Sequence, residues 1–301
     1  MPLSESEASG LDAPDLRTVF PIDKDHDYRL NLRAAQDPAV FLKNSDDGGV
    51  LLRERNAILD EHPERHIGIL PAGERLLDDV IDFIARLNVL DEAALQQIRA
   101  APSGHERCML LARYLETDFA LMQSDSDGNR KLVGGCVCFP SSWSPEQKVG
   151  LDLEQIHSFV PGLNERLGER IELFLSRLQP GKSVVRSDWG LKMRPDFNHH
   201  PLRDLPSPDA SLTPQNGYVR VERQMFTGLP PSADGDPAFA FFIRVSMYRL
   251  EEFMQYADLA EGLKRATQTM RPEVSAYKDI NDDARGRLLV LLSAGVVTPH
   301  A

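Results

Sequence analysis

Residues 219–226, Val-Arg-Val-Glu-Arg-Gln-Met-Phe, alternate like a β-strand, yet one side of the alternation carries Arg220, Glu222 and Gln224. The segment sits between apolar runs and closes on Leu229-Pro230. A polar face on a strand that otherwise reads as buried either meets water or lines a cavity holding something charged. Thirteen residues after Phe226, residues 239–248 (Phe-Ala-Phe-Phe-Ile-Arg-Val-Ser-Met-Tyr) supply a strongly apolar strand able to pair with it. The two predict a sheet wall facing a polar cavity.

The rest of the chain tells what surrounds that wall. Helical spacing appears in Leu76, Leu77, Val80, Ile81, Ile84 and Leu87, and again in Met109, Ala112, Leu115, Phe119 and Met122. A turn signal at residues 124–129 leads into an apolar strand over 131–139, which Pro140 ends. A short helix runs to Ile156-His157, Val160-Pro161-Gly162 breaks it, and a longer helix carries Leu163, Leu167, Ile171, Phe174 and Leu178 on one stripe. Another strand spans 184–189, then a long Pro/Asp/Asn/His-rich connection runs over 194–216. Two helices are expected after the strand pair, over 250–270 and 282–297. Helices first, then strands with interspersed helices, favour an α+β fold with an antiparallel sheet. The acidic, Ser/Ala/Gly-rich start reads as a disordered lead over 1–19, followed by one domain over 20–301.

Composition removes several function classes. A net charge of −12 argues against a nucleic-acid binder, and no window nears the roughly 18 apolar residues of a membrane span. The first residues lack the basic and apolar regions of a secretory signal. Three cysteines, Cys108, Cys136 and Cys138, form no even disulfide framework and point to a reducing, cytoplasmic setting. They are also too few for an ordinary iron–sulfur cluster. Dinucleotide, P-loop, His-Glu-x-x-His and Gly-x-Ser-x-Gly signatures are absent. Redox chemistry here would draw its electrons from outside.

His199-His200, in a loop of polar and Pro residues, reads as solvated, and His62, His66 and His105 read as surface residues. His157 ends an apolar-periodic helix, where an imidazole can project into a pocket. It can equally serve as a helix C-terminal or core histidine. Arg186 beside Trp189 can be a packing pair, and Arg220, Glu222 and Arg223 a cross-strand ion lattice. Tyr277-Lys278 can be a surface pair.

Taken in order, Cys138-Phe139-Pro140-x-x-Trp143, Lys148-x-Gly150, Ile156-His157-x-x-Val160-Pro161, Arg186-x-x-Trp189, Arg220-Val221-Glu222-Arg223-Gln224, Leu229-Pro230 and Tyr277-Lys278 resemble the haem-dependent oxidative N-demethylase family over residues 20–292. Leu115-Glu116-Thr117-Asp118-Phe119 looks like that family's acidic-plus-apolar helix. The resemblance implies a PAS-like sheet with surrounding helices holding one haem b. It also implies oxidative demethylation of a small secondary amine with O₂, using electrons from NADPH through separate flavin and iron–sulfur reductase components. On that resemblance His157 is the axial iron ligand. Lys148, Arg186, Arg220 and Arg223 are candidates for the haem propionates, and Glu222 and Gln224 for the distal, catalytic side. Three positions depart from the family pattern: Phe159 for a proline, Asp188 for an asparagine, and Met225 for a threonine. A haem PAS gas sensor and a haem-free ligand-binding or scaffold member are the alternatives. The lack of coiled-coil heptads and DNA-binding motifs weighs against the sensor.

Overall fold

The computed structural model describes residues 16–20, 25–26, 30–45, 49–125 and 127–294. Seven antiparallel strands form its sheet: β1 (Arg33–Ala34), β2 (Ile67–Ile69), β3 (Asp118–Ser124), β4 (Arg130–Cys136), β5 (Ser183–Lys192), β6 (Tyr218–Leu229) and β7 (Ala238–Arg249). They lie in the order β1-β5-β6-β7-β3-β4-β2. Numbered one to five, β3 to β7 run 2-1-5-4-3 across the sheet, the order of a PAS-like sheet. The α+β fold expected from the sequence is therefore the observed one. No helix among the described residues is long and apolar enough to cross a membrane.

The strand pair singled out by its alternation forms the longest ladder. β6 pairs with β7 from Tyr218↔Arg249 to Leu229↔Ala238, and with β5 from Ser183↔Thr227 to Lys192↔Tyr218. Directly opposed residues of an antiparallel pair share a face. One face therefore carries Arg186, Asp188, Gly190 and Lys192 of β5, Arg220, Glu222 and Gln224 of β6, and Ile243, Val245 and Met247 of β7. Helices of the segment between β4 and β5 cover part of this face. Ile171, Phe174 and Leu175 of Leu163–Ser176 join Phe226, Phe239 and Phe241 in one apolar cluster.

The opposite face is divided between two cores. Phe119, Leu121, Met225 and Phe242 pack with Leu76, Leu77 and Ile84 of the Pro71–Arg86 helix. Trp189, Val219, Val221 and Tyr248 pack with Leu259, Leu263, Leu288 and Leu292 of the C-terminal helices. Each such side chain, fully withdrawn from water, contributes about 1.5–3 kcal/mol.

Three local expectations change. The helical spacing from Met109 to Met122 is broken: the Gly104–Tyr114 helix stops at extended Leu115, and Phe119 and Met122 lie in β3. Residues 118–122 are buried on both sides, so no period of two marked the strand. Likewise Leu115 to Phe119 is an exit into a strand rather than a helix. The expected helix over 250–270 is two, Leu250–Met254 and Ala257–Thr269, with a further helix Pro272–Tyr277 before Asp282–Ser293. Of the expected lead, residues 1–15 lie outside the described residues, while Leu16–Val19 is a short helix with Leu16 and Val19 buried in the second core.

Candidate functional site

His157 is set by local sequence chemistry. Its helix, Leu153–His157, is far too short to be stable alone. A capping box supports it: Gln155 N–H donates to Asp152 Oδ1 at 2.8 Å, and Asp152 N–H donates to Gln155 Oε1 at 3.0 Å. Leu153 and Ile156 anchor it on the apolar cluster over β3 and β7. Gly162, at φ 69°, then turns the chain into the Leu163–Ser176 helix, a conformation glycine adopts without strain. The His157 imidazole makes no hydrogen bond among the described residues. Burial, with Arg186 and Lys148 adding to it, pushes its pKa down to about 4, so the ring is neutral at pH 7.

Opposite lies the polar strip. Arg186 Nε donates to Gln224 Oε1 at 2.8 Å, Gln224 Nε2 donates to Glu222 Oε2 at 3.2 Å, and Arg220 Nε donates to Glu222 Oε1 at 3.3 Å. Arg220, 1% exposed, also donates through Nη1 to the Phe197 carbonyl at 2.8 Å and through Nη2 to the Phe139 carbonyl at 2.5 Å. Its guanidinium is thus committed as a strut joining β6 to the 139 and 197 loops. Asp188 faces Glu222 directly across the strands. Such like charges would repel, but Lys278 Nζ lies 3.0 and 3.2 Å from the two Asp188 oxygens and donates to the Trp189 carbonyl at 2.6 Å.

The structure brings His157, Lys148, Arg186, Arg220, Glu222 and Gln224 to one side of the sheet. It does not bring Arg223 there. One residue from Glu222 in a period-two strand, Arg223 points to the other face, opposite Ser187 and Arg244, with its guanidinium 6.0 Å from the Phe41 ring centre. Of the three departures, Asp188 is on the site's side of the sheet and Phe159, 66% exposed, borders the site with Lys148 Nζ 3.9 Å above its ring. Met225 is fully buried in the opposite core. Trp189 also lies on the face opposite Arg186, packed on Phe20.

Sequence reasoning missed the Lys278–Asp188 pair, which joins residues 90 apart. It also read three histidines wrongly: His66, His199 and His200 are all buried. Arg203 and Arg194 both hold Asp196, at 2.8 Å each, and fold the polar 194–203 stretch down onto the protein.

A haem needs a neutral nitrogen donor for iron, cations for two carboxylates, and an unfilled, partly apolar space. His157 is such a donor, and the ammonium of Lys148 and the terminal nitrogens of Arg186 have no carboxylate or hydrogen-bond partner among the described residues. No atom lies within 4 Å of where a Cβ on Gly190 would stand, so the face is open there. A cavity of about 560 Å³ at the start of β5 is lined by Val184, Leu173, Phe174 and Leu178 with Arg170 and Arg177, and His157, Lys148 and Arg186 are not among its lining residues. The donor set and the open face at Gly190 suit the group.

No curated protein matches the chain. Residues 87–285 match the family described as haem-dependent oxidative N-demethylase, alpha subunit-like. That span is well over half of the sequence and holds β3 to β7, the His157 helix and Lys278; the chain belongs to this family.

Proposed function

We propose that the protein is the haem-binding subunit of an oxidative N-demethylase that takes haem b and a small secondary amine. The observation that carries this reading is His157, a neutral imidazole with no hydrogen bond among the described residues, beside the cations Arg186 and Lys148. In it His157 would ligate the iron, needing no deprotonation at neutral pH. Arg186, whose two terminal nitrogens are uncommitted among the described residues, and Lys148 would take the propionates. A bound haem would supply oxygen activation, using O₂ as co-substrate and electrons from a separate reductase with NADPH, flavin and iron–sulfur chemistry.

The remaining residues bind and orient. Arg220 and Gln224 fix the Glu222 carboxylate, which holds the protonated amine by a charge-assisted hydrogen bond. Gln224 gives its carbonyl to Arg186 and one N–H to Glu222, leaving the second N–H to donate into the pocket. Arg220 is a positioning residue, and Arg223 takes no part in the site.

The test is an absorption spectrum of protein produced with added haem precursor, beside His157→Ala and Arg223→Gln. A Soret band at about one haem per chain, lost or shifted in His157→Ala and kept in Arg223→Gln, is expected. A wild type that takes up no haem overturns the reading, and an unchanged band in His157→Ala removes His157 as ligand. A Soret band without amine-dependent O₂ uptake in the presence of a reductase would favour gas sensing instead.

A further inference from the structure

A second, smaller cavity of about 170 Å³ opens at the far end of β5. Lys192, His199, Ser142, Asp204 and Asp279 are among the residues that line it. None of them belongs to the proposed haem and amine residues. Lys192 lies on the same face of β5 as Arg186 but six residues further on.

Two of the lining residues are buried polar groups. The Lys192 side chain is 8% exposed, its nearest carboxylate, Asp279, is 3.8 Å away, and it has no hydrogen bond among the described residues. A buried ammonium without a hydrogen bond is costly unless something completes its shell. His199 is 8% exposed and its Nε2 has no partner among the described residues. The ring also hydrogen-bonds to the Asp196 backbone, while burial and the nearby Arg220 and Lys192 push its pKa down to about 2. The imidazole is therefore neutral, and its Nε2 is a lone-pair acceptor. The more exposed part of the lining carries the opposite charge, the carboxylates of Asp204 and Asp279.

The rim is unusual in its backbone as well. Ser142, Asp204 and Asp279 have φ of 62°, 45° and 59° and are three of the five non-glycine residues in that region among the described ones. Such conformations cost free energy and persist only where surrounding structure over-determines them. Here the 140–142 and 199 segments clamp each other, with His199 N–H donating to the Pro140 carbonyl and Ser142 N–H to the His199 carbonyl, both at 3.0 Å.

A ligand that satisfies this pocket must bring an anionic acceptor to Lys192 and N–H donors to His199 Nε2 and the two carboxylates. We propose that the Lys192–His199 pocket binds a small amino-acid zwitterion, its carboxylate on Lys192 and its ammonium on His199, Asp204 and Asp279. A simple anion would leave the three acceptors unused, and a simple alkylammonium would leave Lys192 incomplete. The assignment goes beyond the demethylase reading and does not depend on haem.

The test is isothermal titration of the full chain, with and without bound haem, using glycine, N-methylglycine, acetate and methylammonium as probes. One of the two zwitterions should bind at least about tenfold more tightly than either half-ligand, a difference of about 1.4 kcal/mol. Lys192→Met and His199→Phe should each weaken it about tenfold or more, while His199→Gln, which retains an acceptor, should recover part of the loss. Circular dichroism identifies any variant that fails to fold. Acetate binding as tightly as the zwitterions would make this an anion site, and equal methylammonium binding a cation site; either overturns the proposal. So does absence of binding by all four probes. Because the readout is heat of binding, its failure leaves the Soret test of His157 untouched.

Discussion

Arg220 holds the site together, and replacing it gives the most demanding test of the geometry. Arg220→Met keeps most of the side-chain volume, so the cavity contribution is small. What it removes is three hydrogen bonds: two to buried carbonyls and one to Glu222, whose side chain is 17% exposed. It leaves the Phe139 and Phe197 carbonyls without this donor and Glu222 uncompensated opposite Asp188. Breaking a buried ion pair from one side costs about 3–5 kcal/mol, and that is the expected loss. Glu222→Gln should cost less, about 1–2 kcal/mol, because an amide oxygen still accepts from Arg220 and one like charge is gone. In the double variant no stranded carboxylate remains, so it should be about 1–3 kcal/mol more stable than the sum of the single effects predicts. Urea unfolding of the haem-free chain at pH 7, followed by circular dichroism, measures all three. A loss below about 1 kcal/mol for Arg220→Met, or strict additivity in the double variant, would refute the strut.

Two further outcomes follow from the same face of the sheet. With a pKa of about 4 folded against about 6.5 unfolded, His157 binds more protons in the unfolded chain. Its contribution is therefore intact above pH 6.5 and lost as pH falls towards 4. Discounted for partial exposure, this is about 1–2 kcal/mol. Wild type should lose that much more stability than His157→Phe between pH 7 and 4.5, and parallel profiles would contradict the assignment. Gly190→Leu places a side chain in the open space beside Arg220. It should change stability by less than about 1 kcal/mol while abolishing haem uptake, and full uptake would show that the space is not used.

Legibility followed the range of the interactions involved. The strand pair 219–226 and 239–248 could be read because alternation is a local property, and the ladder between β6 and β7 has the pairing it implied. β3 could not, since burial on both faces erases alternation and its apolar residues continue the spacing of the preceding helix. Arg223 was grouped with Arg220 by charge, although the same period of two that marked the strand places them on opposite faces. His199 and His200 sit in a segment whose composition reads as solvated, and only the Arg194–Asp196–Arg203 cluster turns it inward. That cluster spans ten residues and has no periodic signature. The Lys278–Asp188 pair is more remote still, so the charge match for the Asp188 departure became visible only in three dimensions.

The 2-1-5-4-3 strand order also shapes how the chain can fold. β3 is joined to the β5–β6 side of the sheet only through β7, and Asp118 pairs with Ile243, 125 positions later. During synthesis the β3–β4 hairpin must wait, with one edge of β3 unpaired, until β7 has been made. Closing so long a loop before any reward is collected slows folding, and a waiting apolar edge invites pairing with another chain. β7, the last strand among the described residues, is thus the keystone of the sheet, and shielding of β3 until β7 arrives is what the topology demands.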